Sequence, residues 1–344
     1  MVASYGGPYA GNFIPSLIAY DNVVKELGYR SVYIFPEFVS GYAWVDQMRA
    51  VADGLYFVPY HQYTLDNVKR IRAICKQENA AMLYSRMSGW DLTARLAMPR
   101  LPMIWHMEMN LSLDTRKAKA KYWLKYRLLG GRRVYHISVS ESTAKAINSL
   151  GVRHPCVWIP NAINLERLQP KTYQFGKPVK LLTFAYQPMI KGLDIALDAC
   201  ERLNADGIQY ILLASAQTQT YKYIEERYGE SIPPWLRLMP PTDTISDLFD
   251  EADILLCPSR SEGLSFANIE GLYSGLPVVY SDIPGNKVLE DFRLTHRFRS
   301  CDPDDLAEKI AACAAAGVDS DAQRENRQRV RQCYALSTWS ESIE

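Results

Sequence analysis

Short apolar runs rich in β-branched and aromatic residues alternate along the chain with amphipathic segments of helical length. This is the pattern of repeated strand and helix units built around parallel sheets. After a short strand at the start of the chain, residues 32–35, 55–58, 81–84, 103–105, 134–139 and 156–159 read as one set of strands. Residues 179–184, 210–213, 236–239, 254–257 and 278–280 read as a second. Between the sets lie Pro160-Asn161-Ala162-Ile163-Asn164 and the polar stretch 169–177, which holds Pro170 and Gly176 and has the composition of an interdomain linker. The expectation is an α/β chain of two facing Rossmann-like domains with parallel sheets and a cleft between them, bounded at 1–165 and 166–325. In such sheets ligands sit at the carboxyl ends of strands, so the loops after strands are where chemistry should lie.

Composition agrees and narrows the function classes. A chain of 344 residues exceeds what one hydrophobic core usually supports. With 48% apolar residues, 22% charged residues and a formal charge of +1, it reads as soluble and globular, and nothing in its charge points to nucleic acid. Cysteines 75, 156, 200, 257, 301, 313 and 333 are scattered and form no Cys-x-x-Cys pair. That favours reduced thiols in a cytoplasmic protein over disulfides or a zinc site. Met1 to Tyr5 runs straight into Gly6-Gly7 with no signal-peptide pattern. No apolar run approaches the ~20 residues that span a bilayer.

The segment 258–270, PSRSEGLSFANIE, follows the apolar strand 254–257 and carries Glu262 and Glu270 on either side of a small-residue turn. A strand that enters a glycine-containing turn and then a helix gathers free backbone N–H groups, where a diphosphate is held by those donors and the helix dipole. For a helix starting near Ser265, Glu270 lies roughly 7 Å along the axis. That separation suits a nucleotide sugar, with Glu270 accepting from ribose hydroxyls and Glu262 from hydroxyls of the sugar. The bland alternative is a strand-turn-helix whose two carboxylates face solvent.

The run resembles the Glu-x7-Glu signature of retaining glycosyltransferases of family 4, which have the GT-B fold. The likeness continues through Gly271-Leu272-Tyr273-Ser274-Gly275-Leu276-Pro277-Val278-Val279 and Asp282-Ile283-Pro284-Gly285, and upstream through Leu248-Phe249-Asp250-Glu251-Ala252-Asp253-Ile254. It implies that Gly263, Leu264 and Ser265 meet the diphosphate with Lys191, whose Lys191-Gly192 step is similar to the family's at the head of a helix. His106, after the strand 103–105, reads as structural or as aimed into the cleft, and the resemblance implies the role of a family histidine that contacts the donor sugar. Gly6 and Gly7 resemble the glycine loop facing diphosphate and acceptor, with a plain tight turn as the other reading. The last segment, 326–344 with Trp339, is expected to return as a helix to the first domain. One departure stands out. Where the family has Gly-Arg six and five positions before the lysine, this chain has Ala185 and Tyr186. Arg260 is the candidate replacement charge, with a surface ion pair as the other reading.

The resemblance implies a retaining hexosyltransferase moving sugar from a nucleotide diphosphate donor, UDP preferred over GDP, to a hydroxyl of a glycan or lipid-linked acceptor in surface polysaccharide or glycolipid assembly. Front-face substitution would let the departing diphosphate help take the acceptor proton. No metal or cofactor is expected. Asp302-Pro303-Asp304 imitates a metal signature but reads as an N-cap followed by proline in the first helical turn. Residues 114–133 carry eight Lys and Arg against Asp114, interleaved with Tyr122, Trp123, Leu124, Tyr126, Leu128 and Leu129. That composition suits an anionic membrane surface and peripheral attachment at the cytoplasmic face, or simply a solvated helix. Two further alternatives stay open: a non-catalytic GT-B partner subunit, and a nucleotide-sugar epimerase of the same fold.

Overall fold

The computed structural model describes residues 1–61, 64–108, 111–172, 174–242 and 244–343. Two compact units emerge: Met1–Ala162 with Leu336–Glu344, and Ile163–Ala335.

Among the described residues the first unit holds seven strands, β1 (Val2–Ala3), β2 (Val32–Pro36), β3 (Gly54–Val58), β4 (Leu83–Arg86), β5 (Met103–Met107), β6 (Val134–Ser138) and β7 (Cys156–Trp158), in the order β3-β2-β1-β4-β5-β6-β7. Every pairing is parallel. Two strands differ from expectation in a way that matters. β4 starts and ends two residues later than the apolar run suggested, placing Arg86 at its end, and β5 continues two residues past Trp105, so that His106 lies inside the strand. Both extensions carry polar residues that a hydrophobicity pattern reads as the end of a strand. Of the final segment, helix Ser320–Tyr334 belongs to the second unit, whereas helix Leu336–Ile343 packs on helix Phe13–Glu26 of the first and buries Trp339.

The basic segment forms helix Arg116–Trp123, capped by the Thr115 hydroxyl accepting from the Ala118 N–H, and then a π-helical turn, Leu124–Leu129. No residue of Arg116–Trp123 is buried. The wider turn points Tyr126 inward and leaves Trp123, Leu124, Leu128 and Leu129 exposed. One of the eight cations does not face outward: Lys125 pairs with buried Asp91 at 2.7 Å and lies 5.0 Å from the Tyr126 ring.

The second unit holds β8 (Val179–Phe184), β9 (Tyr210–Ser215), β10 (Leu236–Met239), β11 (Ile254–Cys257), β12 (Val278–Ser281) and β13 (Thr295–Phe298), all parallel, in the order β10-β9-β8-β11-β12-β13. Successive residues alternate between two cores, as the period of a strand requires. Leu181, Ile254, Leu256 and Val279 face one, and Leu182, Leu255, Val278 and Tyr280 the other. Burial on both faces explains why these strands read as unbroken apolar runs. β13 does not. Its sequence Thr-His-Arg-Phe buries only Phe298, because an edge strand needs little apolar surface, and its polarity hid it from the hydrophobic pattern. Asp302 caps helix Pro303–Ala316 by accepting from the N–H groups of Asp304 and Asp305, the arrangement expected of it.

Candidate functional site

The strand order of the second unit reverses between β8 and β11, which pair directly with Leu256 opposite Thr183. Their carboxyl ends therefore finish side by side with loops diverging to opposite faces, the place where open α/β sheets bind ligands. A cavity of about 230 Å³ lies there, lined by Phe184 at the end of β8 with Tyr186 and Lys191 beyond it, by Cys257 at the end of β11 with Ser259 and Glu262 beyond it, and by Leu264, Ser265 and Glu270 at the following helix.

Two glycines allow the close approaches that form it. Gly192 sits at φ +69°, and a Cβ there would stand 2.0 Å from the Pro258 carbonyl oxygen, so only glycine lets the turn after Lys191 nest on the loop after β11. Gly271 lies on helix Phe266–Ser274, where a Cβ would meet a Leu255 methyl at 2.6 Å. That helix is thereby seated on β11, with the neighbouring Glu270 against the cavity. Ser265 is its N-cap residue but makes no side-chain capping bond, leaving the first-turn N–H groups for another acceptor.

The charged groups are already engaged. Lys191 Nζ lies 2.7 Å from Glu262 Oε1, which also accepts from the Ser259 hydroxyl at 2.6 Å. The same ammonium sits 4.8 Å above the centre of the Tyr186 ring. Burial alone would lower its pKa, but the Glu262 carboxylate and then Tyr186 outweigh that and hold it above the ordinary lysine value. Cys257 Sγ lies 3.6 Å from Ser259 Oγ and 3.9 Å from Glu262 Oε1, and burial followed by the Glu262 charge raises its pKa. Glu270 is 2% exposed, with Arg167 Nη1 at 3.9 Å from its Oε1. An anion at the helix terminus would thus meet one largely covered ammonium, first-turn amides that no Ser265 side chain caps, and two carboxylates within one small space.

Comparison with known proteins bears on the same part of the chain. Residues 178–315 match the family described as glycosyl transferases group 1. The matched residues lie within the second unit. Among relatives, WcaL of Salmonella typhimurium, named for colanic acid biosynthesis, is 23% identical over 199 residues, 54% of this chain and 48% of WcaL. The uncharacterized glycosyltransferase MJ1178 of Methanocaldococcus jannaschii is 26% identical over 258 residues, 72% of this chain and 69% of that protein. The chain thus spans about half the length of WcaL. HepE of Anabaena, solved with UDP and glucose, superposes with a TM-score of 0.77 at 14% identity, covering 99% of this chain and 97% of HepE. The fold is GT-B.

The second unit brings Lys191, Glu262, Leu264, Ser265 and Glu270 to one cavity. Gly263 is in the connecting loop and not on its lining. Arg260 requires a correction. Its guanidinium makes a two-pronged pair with Asp194, at 2.8 and 2.6 Å, and donates to the Met189 carbonyl at 2.6 Å, so the charge offered as a replacement faces the surface instead of the cavity.

Three expected residues lie in the first unit. Gly7 accepts from the Trp44 indole at 3.0 Å, and a Cβ on Gly6 would strike the half-exposed Phe38 ring. His106 was expected beyond its strand. Inside β5 it is 1% exposed, with Nδ1 2.6 Å from the Tyr84 hydroxyl and Nε2 making no hydrogen bond among the described residues. Burial and then Arg86 push its pKa well below normal, so the imidazole is neutral at pH 7. Sequence reasoning missed the pair next to it. Arg86, 1% exposed, donates to Glu108 at 2.7 Å and to the Ser16 hydroxyl at 3.0 Å. Arg86 and Glu108 are 22 residues apart in sequence, and only the pairing of β4 with β5 joins them.

Tyr186 and Ser259 were missed as cavity residues too. Tyr186 had a signal, as the departure from the family pattern, but read only as a missing arginine. Among the described residues no cluster of His, Cys, Asp and Glu could hold a metal ion, and no helix is long and apolar enough to cross a membrane.

Proposed function

We propose that this chain is a retaining glycosyltransferase that moves a hexose-type sugar from a nucleotide diphosphate sugar, UDP preferred, to a hydroxyl of a glycan or lipid-linked acceptor in surface polysaccharide or glycolipid assembly. The observation that carries the reading is the convergence of Lys191, Glu262 and Glu270 on one cavity at a helix N-terminus, where β8 and β11 diverge. The group 1 match, the UDP and glucose bound to HepE, and the naming of WcaL support donor class and setting.

In this scheme the diphosphate takes the first-turn N–H groups of helix Phe266–Ser274 and a donor hydrogen of Lys191. The phosphate oxygens compete with Glu262 for that ammonium, which frees the Glu262 carboxylate to accept from sugar hydroxyls. Glu270 accepts from the ribose. As the glycosidic bond to phosphate lengthens, negative charge grows on the leaving diphosphate, and Lys191 with the helix amides stabilises it without rearranging. The acceptor hydroxyl attacks from the side the diphosphate leaves, so configuration is retained and the diphosphate receives the proton. No side chain becomes glycosylated. Residues 116–129, with exposed Lys and Arg beside Trp123, Leu124, Leu128 and Leu129, would rest on an anionic membrane where a lipid-linked acceptor resides.

Thermal unfolding with millimolar UDP-sugars tests the donor site, since a ligand bound only by the folded state stabilises by RT ln(1 + [L]/Kd). Wild-type protein should shift upward, and Glu270→Ala should lose the shift. An equal shift in the variant removes Glu270 from the site. UDP release that depends on acceptor separates transfer from epimerisation and from a non-catalytic partner role.

A further inference from the structure

Ala185 and Tyr186 stand where the resembled family has Gly-Arg, and the cavity shows what occupies the vacated position. Tyr186 lines it, is 41% exposed, and holds its ring 4.8 Å from Lys191 Nζ. Lys191 lies between this ring and Glu262, with its side chain 13% exposed. Arg260, the first arginine after β11, is committed to Asp194.

We propose that Tyr186 is a positioning residue for the donor diphosphate: its aromatic face fixes the Lys191 ammonium at the mouth of the leaving-group site, so that one oriented cation does the work usually shared with an arginine. This rests on the donor reading given above. The physical argument concerns the lysine stem. Four rotatable bonds let a free ammonium sample many positions, and each must be lost when phosphate is gripped. An aromatic face is a soft electrostatic partner that attracts a cation without offering an anionic oxygen to compete with phosphate. Glu262 alone would draw the ammonium toward the carboxylate, whereas the ring holds it from a second side and lets it exchange Glu262 for a phosphate oxygen with little movement. An arginine here would bring a like charge close to Lys191, so the tyrosine also spares the Lys191–Glu262 pair that repulsion in the empty site.

Removing the ring should therefore weaken capture of the diphosphate, and removing only the hydroxyl should not. Calorimetric titration of UDP into the purified chain reads this directly, alongside steady-state rates with UDP-sugar. Tyr186→Ala is expected to weaken UDP about fivefold, in line with a partly desolvated cation–π contact, and to lower kcat more than it raises KM, because the charge on the diphosphate is largest in the transition state. Tyr186→Phe should stay within twofold of wild type in both readouts. In a Lys191→Met background, Tyr186→Ala should change UDP affinity no further, since the ring acts through the ammonium. Equal losses in Phe and Ala, or an undiminished effect of Tyr186→Ala without Lys191, overturns the positioning role. Wild-type protein that binds neither UDP nor GDP overturns the donor reading and this inference with it, whereas tight UDP binding unaffected by Tyr186→Ala overturns the inference alone.

Discussion

Replacing Lys191 by methionine keeps a side chain of similar length beside Tyr186 but strips Glu262 of its counter-charge. The two side chains are 13% and 9% exposed and 2.7 Å apart, so the pair behaves more like a buried one than a surface one. Removing one member of a buried pair typically costs ~3–5 kcal/mol. Glu262 retains the Ser259 hydroxyl at 2.6 Å, which places the expected loss lower, at about 2–3 kcal/mol. Urea unfolding followed by tryptophan fluorescence should show the lowered midpoint. Adding Glu262→Gln removes the stranded charge, so the double variant should recover most of the lost stability. UDP affinity should behave differently. A hydrogen bond from a charged donor is worth ~1.5–3 kcal/mol, so Lys191→Met should weaken UDP by roughly 10- to 100-fold, and the double variant should stay weak. The pH course has a defined sign. The folded pKa of Lys191 lies above the usual 10.5, so its contribution is whole below pH 10.5 and is lost as pH rises through the folded value. The gap between wild type and variant should thus be flat near neutrality and close only in strong alkali. A single variant as stable as wild type, or a double variant no more stable than the single, refutes the account of a buried pair exchanged for phosphate.

Two other predictions test the first unit. His136, 2% exposed between Trp105 and Tyr126, has a pKa pushed down to about 4 by burial and then by Lys125 and His154, against 6.5 for a free imidazole. Its contribution is whole above pH 6.5 and falls away as pH drops toward 4, by roughly 3 kcal/mol at one pKa unit per ~1.4 kcal/mol. His106 adds to the same slope. The variant His136→Phe should flatten the acid limb of a stability-against-pH curve, and an unchanged limb would acquit this imidazole. For the basic segment, Lys117→Glu with Lys121→Glu should weaken sedimentation with vesicles of anionic phospholipid by at least tenfold at 0.1 M salt, since each cation at such a surface is worth about 1 kcal/mol. Binding equal to that of wild type assigns the helix to solvent.

The two sets of strands were legible because parallel strands covered on both faces must be apolar along their whole length, as in 179–184 and 254–257, and no tertiary fact is needed to see them. The turn between β11 and its helix, with Glu262 and Glu270 eight positions apart, was equally local: strand, glycine and helix follow within one short segment, and their order alone gathers amides and carboxylates. Asp302 capping its helix belongs to the same class. Polar strands were hidden for the complementary reason. β13 lies at an edge, and β5 carries His106 and Met107 past the apolar run, so neither announces itself by hydrophobicity.

What only the tertiary structure decided is which distant side chains meet. Lys191 and Glu262 are 71 positions apart and touch because β8 and β11 are neighbours in the sheet and Gly192 lets their loops nest. Arg260 turned outward to Asp194, 66 positions away in sequence, where the order of the chain alone offered a place beside the cavity. Local pattern fixes elements because backbone periodicity is a short-range property. Charge partnership depends on sheet order and on the few tenths of an ångström at which loops pack, and these are set by the whole folded unit.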